Sequence, residues 1–181
     1  NFAYRNFKPT FFNLNKFIVN SALTYERLYA PNLYGGTFWE MRTVMVNKSF
    51  NAGGFSIDGS LTESNDYFEP RVWGEKFIRP IWTSTRAWFS SNYQKKVALD
   101  AGVGYVAVQR DNWWEWNYNL ELRFRISNQL FFTPSWDQRF QNNSEGYAVS
   151  FGEPADTSNA IIFGNRNRNT STLSIGLDYT I

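Results

Sequence analysis

From Trp114 to Ser127 the chain alternates without a break. Trp114, Trp116, Tyr118, Leu120, Leu122, Phe124 and Ile126 fall on one parity, and Glu115, Asn117, Asn119, Glu121, Arg123, Arg125 and Ser127 on the other. A helix would spread both sets around its circumference, whereas an extended chain keeps them on opposite faces. The segment is also long: soluble strands usually run about 5–6 residues. At ~3.3 Å per residue and a tilt near 40°, about 13 residues climb roughly 33 Å, the depth of a bilayer's hydrocarbon. Such a strand can set one face against lipid and the other against water.

The pattern recurs. Lys96 to Val108 sets Val97, Leu99, Ala101, Val103, Tyr105 and Ala107 against Lys96, Ala98, Asp100, Gly102 and Gly104. Leu130 to Phe140 and Leu173 to Ile181 repeat it, and weaker versions span Phe17 to Tyr29, Thr37 to Val46, Gly54 to Thr62 and Ile81 to Ser91. With Phe2 to Phe12 and Ala160 to Gly164, the expectation is about ten strands. Short polar turns are expected at Asn13-Leu14-Asn15, Asn47 to Gly53, Asn92-Tyr93-Gln94, Ser127-Asn128 and Asn165 to Thr170. Longer links are expected at Ala30 to Gly36, Glu63 to Arg79 and Gln141 to Asn159, with the short Gln109 to Asn112 as the exception. Alternating short and long connections are what a transmembrane barrel has, with turns on one side and loops on the other. The fold class expected is therefore all-β, an antiparallel transmembrane β-barrel in the bacterial outer membrane.

Composition agrees. Phe, Trp and Tyr make up 19% of the residues, yet mean hydropathy is −0.47, because polar residues are interleaved with the rings. The longest uncharged, mostly apolar run, Ala101 to Val108, is far shorter than the ~18 residues of a spanning helix. Cysteine and histidine are both absent, which excludes Cys/His metal sites, disulfides, cysteine nucleophiles and Ser-His-Asp triads within this chain. A net charge of +2 without a basic cluster argues against nucleic acid as a partner.

Glu115, Glu121, Arg123, Arg125, Asp137 and Arg139 share the polar parity of neighbouring strands and are the candidates to face the lumen, either pairing with one another or lining a polar path. Trp113, Trp114, Trp116, Tyr118 and Trp136, with Phe38 and Trp39, are expected at the membrane interface, where an amphipathic ring keeps its polar atom wet. The alternatives are that these rings are the core aromatics of an ordinary β-sandwich, or that exposed Trp and Tyr serve a soluble sugar-binding β-sandwich. Glu115 and Glu121 do not suit a glycosidase pair: six residues along one strand separates them by ~20 Å. No enzyme and no cofactor is expected. Glu63, Asp66 and Glu69 offer oxygens for calcium but lack the glycine and closing glutamate of an EF-hand loop. A loop folded over the barrel mouth, or touching a partner, suits Glu63 to Arg79 better. Leu177-Asp178-Tyr179-Thr180-Ile181 is similar to an outer-membrane assembly signal, with Ile181 where an aromatic is usual.

Asn65-Asp66-Tyr67-Phe68-Glu69-Pro70-Arg71-Val72-Trp73-Gly74, then Ser90-Ser91-Asn92-Tyr93-Gln94-Lys95-Lys96 and Ile162-Phe163-Gly164-Asn165-Arg166-Asn167-Arg168-Asn169-Thr170, resemble an uncharacterised Bacteroidota outer-membrane β-barrel family. In that family a carbohydrate-binding-module-like sandwich usually precedes the barrel. The resemblance implies an outer-membrane location and no established activity. On this reading residues 1–181 are one segment of a larger barrel and a fragment of a longer precursor. Its expected partners are the lipid bilayer and other outer-membrane proteins or lipoproteins. The expected role is a membrane-embedded structural or accessory component of an envelope complex, with a pore for small polar solutes or glycans as the alternative.

Overall fold

The computed structural model describes residues 1–9, 13–110, 112–151 and 160–180. The chain is all-β, and no helix occurs among the described residues. Its strands are β1 (Phe2–Asn6), β2 (Leu14–Arg27), β3 (Tyr34–Asn47), β4 (Ala52–Ser60), β5 (Ser64–Asp66), β6 (Phe77–Arg79), β7 (Trp82–Ser90), β8 (Val97–Val108), β9 (Trp114–Arg125), β10 (Leu130–Phe151) and β11 (Ala160–Tyr179). Nine of them form one sheet in the order β1-β2-β3-β4-β7-β8-β9-β10-β11, and β5 pairs only with β6. Every pairing is antiparallel. The sheet is not closed, since β1 and β11 each pair on one side alone.

Two expectations are corrected at the C-terminal end. Ala160 to Gly164 and Leu173 to Tyr179 belong to one strand, because the expected turn Asn165 to Thr170 runs straight through β11, pairing Asn165 with Glu145 and Thr170 with Arg139. This stretch contains no glycine or proline to break the chain, and a polar strand is satisfied by its ladder like any other. The expected link from Gln141 is likewise strand as far as Phe151, with a register shift between Gln141 and Ser144 where Asn143 adopts φ 51°. Residues 152–159 of that link, 10–12 of the expected first strand, Asp111 and Ile181 lie outside the described residues. The turn between β3 and β4 is held by Asn47, whose Oδ1 accepts from the N–H groups of Ser49 (2.9 Å) and Asn51 (3.0 Å). That is the local alternative to ladder bonding that asparagine offers.

Register shows the two faces directly. Met41, Ile57, Thr85, Tyr105, Trp116 and Phe140 stand side by side across β3, β4 and β7 to β10. One residue along, Arg42, Ser56, Arg86, Gly104, Asn117, Arg139 and Thr170 form the row on the opposite face, which reaches β11. The polar face is the concave one: Arg86 of β7 reaches Asn119 of β9, two strands away, with Nη2 donating to Oδ1 at 3.4 Å. The apolar face is the exposed one, with Leu173, Ile175 and Leu177 between 67% and 75% exposed. Among the described residues, Leu14 and Phe77 are the large aliphatic or aromatic side chains that are buried. The usual arrangement of a soluble domain, apolar residues inside, is turned outward.

Candidate functional site: the concave polar face and its cap

Three cross-strand rows build the concave face. The first runs Gly54, Trp88, Gly102, Asn119, Asp137 and Thr172, and the second is the Arg42 to Thr170 row. The third runs Glu40, Asp58, Ser84, Val106, Glu115, Gln141 and Arg168. The second row and most members of the other two line a space of about 930 Å³. Alternation places these residues; antiparallel register then brings into one row groups as far apart in the sequence as Arg42 and Thr170.

Of the six expected lumen residues, Glu115, Asp137 and Arg139 line this space. Glu115 is 8% exposed. Its Oε1 lies 2.7 Å from Arg139 Nε and its Oε2 accepts from Gln141 Nε2 at 2.7 Å. Glu121, Arg123 and Arg125 lie on the same face, nearer the short turns. There Arg123 sits over the Phe131 ring at 4.6 Å and Arg125 over the same ring at 5.4 Å. The Tyr93 hydroxyl, in the turn below, donates to Asp100. Burial first, and then that bond to a carboxylate, push the Tyr93 phenol above its ordinary value.

Trp114, Trp116, Tyr118 and Trp136 are on the convex face, as their parity requires. Trp116 stacks on Tyr118 with centroids 6.1 Å apart and meets Tyr105 at 4.5 Å. Trp136 Nε1 donates to Ser171 Oγ at 3.0 Å. Trp113 precedes β9 in the link, where its N–H donates to Arg110 O and its carbonyl accepts from Val108, both at 3.0 Å. Of the two further rings expected in that zone, Trp39 pairs with Gly59 on the convex parity, but Phe38 pairs with Ser60 on the concave one. Arg42, Asp58, Arg86, Trp88, Asn117 and Asn119 were not singled out in the sequence. The parity of Ile81 to Ser91 carries a signal for Arg86 and Trp88, but the weak alternation around it hides which face they share.

The segment Glu63 to Arg79 folds back as the β5–β6 hairpin and packs on the far end of the sheet. Phe77 stacks on Phe163 of β11 with centroids 4.5 Å apart, Arg71 lies 4.8 Å over the Tyr147 ring, and the Tyr147 N–H donates to Glu69 Oε1 at 2.9 Å. Arg110, from the β8–β9 link, lies 3.2 Å from Glu145 and 4.0 Å from Glu63. A segment that leaves the sheet between β4 and β7 is thus fastened to β10 and β11, across the loop end of the concave face. The carboxylates considered as calcium ligands face arginine: Arg79 meets Asp66 at 2.6 Å and Glu69 at 3.7 Å.

Burial alone would raise the Asp66 carboxyl. Hydrogen bonds from Arg79 and from the N–H groups of Phe68 (2.8 Å) and Glu69 (3.0 Å) outweigh it and hold the group below its ordinary value. A depressed carboxyl stabilises the fold above the unfolded value, about 3.9, and this contribution is lost as pH falls through the lower folded one. The hairpin is therefore expected to loosen below about pH 4 while the wall strands hold, seen as faster amide exchange in residues 64–79. Asp66→Asn is expected to show that faster exchange already at neutral pH. Unchanged exchange in acid would remove Asp66 as the latch.

No curated protein and no solved structure matches the chain. The model of the family described as "Domain of unknown function (DUF5916)" matches residues 1–181, so the chain belongs to the DUF5916 family.

Proposed function

We propose that this chain is part of the wall of an outer-membrane β-barrel that serves as a membrane-embedded structural or accessory component of an envelope complex, without a catalytic step of its own. The observation that carries this reading is the inverted sheet. Exposed apolar rings and aliphatics cover the convex face, charged and amide side chains predominate on the concave one, and few apolar side chains are buried among the described residues, Leu14, Phe77, Ala98 and Pro70 among them. In water that arrangement leaves the hydrophobic effect with almost nothing to bury; in a bilayer it satisfies both faces. A soluble sugar-binding sandwich requires two sheets to bury their inner faces on each other, and the described residues form one large sheet and a three-residue-strand hairpin.

An accessory role is supported by the hairpin fastened across the loop end and by the Glu115–Arg139 pair filling the concave side. The pore reading has one observation in its favour, the polar space of about 930 Å³. Two measurements test the proposal. The purified protein is expected to need detergent to stay monodisperse, and a monodisperse detergent-free protein would overturn the membrane reading. In planar bilayers the protein is expected to be electrically silent, and stepwise conductance would favour the pore. Copurification in mild detergent is the direct assay for envelope partners.

A further inference from the structure

The floor of the concave space is unusually flat. A Cβ on Gly54 would stand 2.6 Å from Nε1 and 2.8 Å from Cε2 of Trp88, so the indole lies down over that glycine instead of standing off the sheet. A Cβ on Gly104 would stand 2.5 Å from Oδ1 and 2.8 Å from Nδ2 of Asn117, and one on Gly102 would overlap the Asn119 oxygen. Three glycines thus let one ring and two carboxamides from adjacent strands lie along the wall. Arg86 donates to Asn119 Oδ1 at 3.4 Å, which fixes which end of that amide faces the guanidinium.

The charges around this floor cancel. Arg42, Arg86 and Arg139 line the space with Asp58, Glu115 and Asp137, three cations against three anions, a net of zero. Such a surface selects neither an anion nor a cation, yet it is dense in donors and acceptors at fixed positions. Arg42 and Arg139 remain well exposed, at 64% and 54% of their side chains, so the rim is reachable. The volume of about 930 Å³ lies within the ~300–1,000 Å³ usual for small-molecule sites.

We propose that the concave face binds an uncharged, hydroxyl-rich ligand, a short oligosaccharide, on the Trp88 indole. A pyranose presents an apolar C–H face to the ring. Its hydroxyls donate to the Asp58 and Asp137 carboxylates and accept from Arg42 and Arg86, using both functions of each hydroxyl. The site rests on the reading of the concave face as the water-filled interior, and it names the ligand class that interior takes.

The test is titration calorimetry on the full protein in detergent, with maltotriose, cellotriose and tri-N-acetylchitotriose as probes and inorganic phosphate and spermidine as charged controls. At least one trisaccharide is expected to bind and both controls to fail. Trp88→Ala is expected to weaken binding about tenfold, while Trp88→Phe, which keeps a ring over Gly54, stays within about threefold of the wild type. The thermal melt of both variants checks that the wall is intact. Failure of all three sugars to bind, binding of phosphate or spermidine instead, or a Trp88→Ala protein with undiminished affinity would each overturn the site. The two readings fail separately. A protein that needs detergent but binds no sugar keeps its barrel and loses this site; one that is monodisperse without detergent yet binds through Trp88 does the reverse.

Discussion

Leu120→Arg is expected to destabilise the protein in phospholipid vesicles by about 2–4 kcal/mol, the cost of a cation on a lipid-facing strand near the bilayer midplane. Leu120 lies within β9, pairs with Ala101 and Trp136 on the convex face, and is 40% exposed. Ser135, on the neighbouring strand β10, pairs with Glu121 on the concave face, so Ser135→Arg brings the same charge to the polar side. There it is expected to cost under about 0.5 kcal/mol, as surface changes usually do. Denaturant titration of vesicle-embedded protein reads both values. The contrast decides between environments: on a water-exposed face an arginine in place of a 40%-exposed leucine would change little. Equal effects at the two positions would contradict a lipid-facing convex surface.

The second large effect is expected at Glu115. Glu115→Leu removes the acceptor of Gln141 and the counter-ion of Arg139, both at 2.7 Å, from a position that is nearly buried. Breaking a buried charged pair by removing one partner costs about 3–5 kcal/mol. The Arg139 side chain is 54% exposed and water recovers part of the loss, so about 2 kcal/mol is the expected figure. Arg139→Leu in the Glu115→Leu background is expected to restore part of it, giving a coupling of about 1 kcal/mol in a double-mutant cycle. Strict additivity would show that the two side chains do not act as a pair.

The strands and faces were legible where alternation was strong. In β8 and β9 the parity of residues such as Tyr105, Trp116, Asn117 and Glu121 is intrinsic to extended chain and needs no knowledge of neighbours. The continuity of β11 was not legible, because Asn165 to Thr170 has the composition of a turn; only the ladder with β10 shows those asparagines and arginines as strand. The site was half legible for a related reason. Glu115, Asp137 and Arg139 stand out on strongly alternating strands, but Trp88, Arg42 and Asp58 acquire their relation to them only through register across as many as five strand pairings. The glycines that let Trp88 and Asn117 lie flat carry no signal until the strand opposite is known.

The nine-strand order carries one more consequence. In an antiparallel meander direction reverses at each strand, so an odd count leaves the two margins, β1 and β11, pointing the same way. Joining them directly would put a single parallel seam into a wall whose every other pair is antiparallel, and a second copy inserted in the same orientation would meet the first with that same mismatch. An antiparallel seam on both margins requires an odd number of spanning strands in the gap. That brings the total to the even numbers found in single-chain bacterial barrels. On the proposed barrel reading, the parity of the sheet thus limits what would complete a ring.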